Sequence, residues 1–180
     1  MGSPRPQNEM TDRGVTLALH GPNEVRIGRP AQVRIEIRND GERVLWMVGV
    51  VDGSEGGVRF PRYMPSVKLG GRVVAAPPPP EDPLIGPLRA ADFRRLAPGE
   101  SFDPTRPSHG ADYLPLSTFS NFVPSEDGVY RYELELSTNS DSLERWLGRF
   151  NQEDERPSVL ELIDKVPPVT VTAALEIVVR

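Results

Sequence analysis

Hydrophobic and polar residues alternate most regularly over residues 128–136. Tyr130, Tyr132, Leu134 and Leu136 take one face and Arg131, Glu133 and Glu135 the other, the period of a strand with one side buried. The same alternation closes the chain, with Val169, Val171, Ala173, Leu175, Ile177 and Val179 on one face. Val33, Ile35 and Ile37 against Arg34, Glu36 and Arg38 predict a third strand, and residues 15–19 a shorter one. Residues 45–51 are apolar on both faces and predict a central strand, with Trp46 as the aromatic that plugs the space between two sheets. Turn chemistry separates these runs. Asn39-Asp40-Gly41 predicts a hairpin after the strand at 33–37, Gly70-Gly71 a tight hairpin within 67–74, and Pro98-Gly99 and Asp127-Gly128 further turns.

One excursion breaks the β pattern. Asp141 and Glu144 fit a helix start, and Leu143, Trp146, Leu147 and Phe150 recur at i, i+3, i+4 and i+7. Residues 158–166 predict a second short helix, with Val159, Leu162, Ile163 and Val166 on one side and Pro167-Pro168 ending it. The expected organisation is a flexible tail over 1–13 and one mostly β domain over 14–180. That domain is an immunoglobulin-like β-sandwich with a small helical insertion at 140–166, before its last strand.

Composition narrows the function. A length of 180 residues is enough for a two-layer core, and 20 prolines imply many turns and edges. The net charge of −5 argues against a dedicated nucleic-acid binder. No apolar run approaches the roughly 20 residues of a membrane-spanning helix. Absence of cysteine removes disulfides and thiolate chemistry. The opening Met1-Gly2-Ser3 resembles an expression scar. That leaves open both an extracytoplasmic location, with a native signal ahead of it, and a cytoplasmic one.

Catalytic patterns are missing: there is no His-Glu-x-x-His, no Gly-x-Ser-x-Gly and no phosphate-cradling glycine loop. His109 and Asp112 offer two metal ligands on a Pro/Gly-rich loop without a third nearby, whereas catalytic zinc takes three from protein. The acidic loop 52–57 lacks the ligand spacing of a calcium loop and reads as a turn. Four prolines at 77–80 favour polyproline II, as a crossing between sheets or as a ligand for an aromatic groove. No catalytic residue, cofactor or metal is assigned.

Residues 33–179 resemble a group of bacterial immunoglobulin-like domains. The resemblance rests on Asn39-Asp40-Gly41, the glycine hairpin, Asp92-Phe93, Leu96, Pro98-Gly99-Glu100-Ser101 and Gly128-Val129-Tyr130. Such domains occur in extracytoplasmic bacterial proteins and ahead of the catalytic unit of aspzincin metallopeptidases. The peptidase zinc helix is absent here, so the resemblance implies a fold and carries over no catalytic residue; the insertion at 140–166 and the proline run depart from the pattern.

The expected function is a non-enzymatic binding or accessory module that recognises a protein through end loops and the inserted helix. Trp146, Leu147, Phe150 and Tyr63 are the candidate contact residues. An inward-packed lid is the default for so regular a stripe, and exposure would make it the binding face. One alternative is a peptidase inhibitor or pro-domain that inserts the loop 75–88 into a cleft. Another is a metal-dependent enzyme using His109 and Asp112. Sugar binding requires Trp46, Trp146 or Tyr63 exposed beside polar groups.

Overall fold

The computed structural model describes residues 9–79 and 85–180. Two antiparallel layers face each other across one core. The first runs β1-β2-β4-β9, built from β1 (Met10–Asp12), β2 (Val15–His20), β4 (Arg34–Asn39) and β9 (Ser101–Phe102). The second has the order β3-β11-β10-β6-β7. Its strands are β3 (Glu24–Val25), β6 (Arg62–Leu69), β7 (Arg72–Ala75), β10 (Gly128–Ser137) and β11 (Thr170–Val179), with only β3 parallel to its neighbour. A separate pair, β5 (Leu45–Val48) with β8 (Phe93–Leu96), completes a mostly β, immunoglobulin-like sandwich.

The two long alternating runs form the centre. β10 and β11 pair from Gly128↔Val179 to Ser137↔Thr170, and β6 flanks β10 on its other side. Tyr130, Tyr132, Leu134 and Leu136 are buried, as are Val171, Ala173, Leu175 and Ile177, facing Leu17, Leu19, Ile35 and Ile37 of the first layer. Gly70 and Gly71, with φ of 57° and 80°, turn β6 into β7 through the tight hairpin their sequence predicts.

The hairpin expected at Asn39-Asp40-Gly41 does not form. β4 lies between β2 and β9, while β5 leaves the layer to pair with β8. The cause is the buried Asn39 side chain. Its Nδ2 donates to the carbonyls of Arg43 (2.8 Å) and Leu96 (3.0 Å), and its Oδ1 accepts from the Gly41 N–H. These bonds turn the chain out of the layer rather than back along it, and satisfy a polar group that burial would otherwise penalise.

Trp46 does not plug the sandwich. It is half-buried on β5 beneath the Lys165 ammonium, and the fully enclosed tryptophan is Trp146, stacked on Phe60 with centroids 6.1 Å apart. Residues 10–12, expected within a flexible tail, pair with β2. The second helix forms as α2 (Arg156–Ile163), starting two residues early because Pro157 is tolerated in a first turn.

Three surface carboxylates are held below their ordinary range. Burial raises Glu36, but hydrogen bonding to His20 and the nearby Arg38 outweigh it. Asp40 is lowered by Arg38 and Thr16, and Glu133 by Lys68 and Arg131. Each lowered group contributes stability above its unfolded value of about 4 that is lost as pH falls through the folded value. Asp92, raised by burial, acts in the opposite sense. Three such groups against one predict a urea midpoint that is level from about pH 7 to 5 and falls below about pH 4. A midpoint that rises on acidification, followed by circular dichroism, contradicts this balance.

Candidate functional site

Within the insertion, the predicted stripe winds for a single 3-10 turn, Leu143–Trp146, capped by the Ser142 hydroxyl, which accepts from the Glu144 N–H. Leu147 is already extended, and a Cβ on Gly148 would overlap the Gly86 carbonyl. That close approach of two backbones stops the helix, so i+7 never joins i. Trp146 is 2% exposed and Leu147 is buried, whereas Phe150 is 46% exposed. The stripe, for which inward packing is the default and exposure the alternative, is therefore mostly packed inward, and Phe150 stands apart from it.

Arg59 holds this packing and was not singled out from sequence. It is fully buried, and its guanidinium makes four hydrogen bonds to three carbonyls. Nε and Nη2 donate to Trp146 O (3.2 and 2.6 Å), and Nη1 donates to Asp52 O (3.2 Å) and Gly86 O (2.8 Å). Burial pushes its pKa down to about 10, so it remains charged at neutral pH, with Asp52 and Asp92 opposing the shift. Gln152 adds a second clasp, bonding Leu88 N and O and Gly148 N. Through these groups residues 52–59, 85–88 and 146–152 become one packed unit.

A groove of about 590 Å³ lies on the outer face of the five-stranded sheet. The groove crosses β6, β10 and β11. Outward Met64, Ser66, Arg131, Glu133, Glu135, Thr172 and Ala174 line it, with Ala76 and Pro77 as one wall. Pro77 and Pro78 rest against Gly56, in the loop that Arg59 fixes at Asp52. Ala174, itself only 3% exposed, leaves the floor low between Thr172 and Glu176, and Met64 is 37% exposed at the β6 side. Three strands span roughly 10 Å across, and residues 131–135 roughly 13 Å along, a trough on a rigid support.

Charge in and beside the trough is uneven. Glu133 is bonded by Lys68 (2.8 Å) and Arg131 (2.7 Å), and Arg131 also lies 3.6 Å from Glu176. Glu135 is exposed and has no ion pair among the described residues. An outward alanine interrupting the polar alternation of β11 is the sequence signal that could have located this floor.

The other sequence candidates are engaged internally or stand alone. Tyr63 is 0% exposed, and its hydroxyl donates to Val48 O at 2.7 Å. In the acidic loop, Glu55 accepts from the backbone N–H and hydroxyl of both Ser117 and Thr118. These open the short helix α1 (Ser117–Ser120), so the carboxylate is used as a cap. His109 sits on a turn at φ 50°, and among the described residues no group of three His, Cys, Asp or Glu could hold a metal ion. Among those residues no helix is long and apolar enough to cross a membrane. Of the loop 75–88, residues 80–84 lie outside the described residues, while Ile85 and Leu88 are buried.

No family model matches the chain, and no curated protein matches it. A crystal structure of a CARDB domain from Pyrococcus furiosus, in complex with di-metal ions, is similar at 13% identity over 100% of both chains, with a TM-score of 0.34. The sandwich is assigned from its own sheets and register.

Removing Arg59 leaves the buried Trp146 carbonyl and the part-buried carbonyls of Asp52 and Gly86 without their donor. Arg59→Ala is expected to lower stability by about 3 kcal/mol or more in urea unfolding. Combined with Trp46→Phe, it should also open Trp146 to iodide quenching. In Trp46→Phe alone Trp146 stays shielded. Ready quenching in that folded single variant, or an unchanged midpoint in Arg59→Ala, contradicts the packing described.

Proposed function

We propose that this protein is a non-enzymatic recognition module whose contact surface is the groove across β6, β10 and β11. The observation that carries this reading is the low floor at Ala174 between a proline wall and a charged rim, on a sheet whose register is fixed by ten paired residues of β10 and β11. A rigid, shaped surface with its polar groups already in place loses little entropy on binding. The immunoglobulin-like scaffold supplies the support, and the outward side chains supply the selectivity.

Of the four contact residues expected from sequence, Trp146, Leu147 and Tyr63 are enclosed and serve the core, which leaves Phe150 as the one on the surface. The inhibitor or pro-domain reading needs residues 75–88 to project into a cleft. Among the described residues of that loop, Pro77 packs in the groove wall and Ile85 and Leu88 are buried, while residues 80–84 lie outside the described residues.

A photo-crosslinking residue in place of Met64 tests the surface against one in place of Phe150. The expected outcome in a lysate of the native host is a discrete adduct from position 64 that disappears when Ala174→Trp fills the floor. Adducts from position 150 alone would move the contact surface to the insertion and refute this reading.

A further inference from the structure

The groove's charge and shape specify its occupant further, an inference that rests on the recognition reading above. On the outward face of β6, β10 and β11 three cations, Arg62, Lys68 and Arg131, stand against three carboxylates, Glu133, Glu135 and Glu176; the groove lining itself holds Arg131, Glu133 and Glu135. Lys68 is engaged with Glu133, Arg131 with Glu133 and Glu176, and Arg62 lies over the Phe60 ring, 4.5 Å from its centroid. Lys68 and Arg131 cannot meet an incoming anion without giving up an existing partner. Glu135 is the one lining carboxylate without a cation among the described residues, and it projects from β10 opposite Met64 of β6. Along the same trough the remaining lining is apolar apart from Ser66 and Thr172, with Met64 and Ala76 exposed, Pro77 half-buried, and Pro65, Leu134, Ala173 and Ala174 buried beneath them.

We infer that the groove takes an extended peptide segment in which a lysine or arginine alternates with small or medium apolar residues. The cation would pair with Glu135, and its apolar neighbours would cover Ala174 and the Met64–Pro77 side. An extended chain suits the site because the trough follows the strands and side chains on one edge of such a ligand recur every second residue. An acidic segment is disfavoured, since it would bring a carboxylate against Glu135 in a lining that already carries two carboxylates to one cation. A net charge of −5 on the whole protein acts in the same direction by attracting basic partners at long range.

Fluorescence anisotropy with labelled nine-residue peptides tests this on the full chain. One peptide alternates lysine with valine, a second glutamate with valine, and a third serine with valine. The lysine peptide is expected to bind saturably and at least about tenfold more tightly than the glutamate peptide. Glu135→Gln should weaken it about two- to fivefold, the scale of one partly exposed ion pair, and added salt should weaken it further. Ala174→Trp should abolish binding. Ser66→Trp, on the same lining at a more open position, serves as the second filling variant, with folding of both checked by circular dichroism.

If the serine or glutamate peptide binds as well as the lysine peptide and the filling variants still block it, the charge inference is overturned while the groove remains the contact surface. If the lysine peptide binds with no response to Ala174→Trp, Ser66→Trp or Glu135→Gln, the groove reading itself is overturned. Absence of binding by all three peptides overturns the inference as stated.

Discussion

A buried guanidinium with only carbonyl oxygens in hydrogen-bond contact is the constraint on which the loop-rich end of this sandwich depends. Arg59 ties the carbonyls of Asp52, Gly86 and Trp146, three points far apart in sequence, to one planar group. Desolvating that charge is unfavourable, and four charge-assisted hydrogen bonds offset the penalty. The arrangement has little tolerance. Gly53 approaches Ile85 so closely that a Cβ would stand 2.7 Å from its Cγ2, and Gly148 lies directly against Gly86. The insertion therefore packs against the loop after β7 instead of projecting as an amphipathic helix, and Trp146 joins the core.

The consequence reaches the outer face of the sheet. With Asp52 fixed, the turn that follows presents Gly56 to Pro77 and Pro78, and these prolines become a wall instead of a free crossing. β10 and β11 provide a floor that cannot slide, because a one-residue slip would turn Tyr130, Tyr132, Leu134 and Leu136 out to solvent. The groove is thus the joint product of a rigid pair of strands and a loop assembly pinned from beneath. Neither part makes it alone.

The sequence displayed the central strands because their signal is local. Alternation along 128–136 and 169–179 is set by burial of one face, and the positions found inside are those the period selects. The Gly70-Gly71 hairpin was legible for the same reason, since positive φ at both positions favours glycine. What was not legible depends on pairings distant in the chain. Asn39-Asp40-Gly41 carries the residues of a hairpin, yet Asn39 bonds Leu96, 57 residues away, and the chain leaves the layer. Trp46 sits in the more apolar run, yet it is Trp146, set among Glu144, Arg145, Gly148 and Arg149, that the Arg59 clasp encloses. The groove combines Met64, Glu135 and Ala174, each unremarkable within its own strand; Ala174 alone hinted at it, as a small residue between Thr172 and Glu176 on the outward face.

The most direct measurement is amide chemical-shift mapping of the nitrogen-15-labelled protein during titration with a basic, valine-alternating peptide. This account predicts progressive shifts confined to Met64, Ser66, Glu133, Glu135, Thr172, Ala174 and the strand positions beside them. Residues 143–150 and the first layer should stay still. Shifts centred on Leu143, Arg149 and Phe150, with β10 and β11 unmoved, would contradict it and return recognition to the insertion.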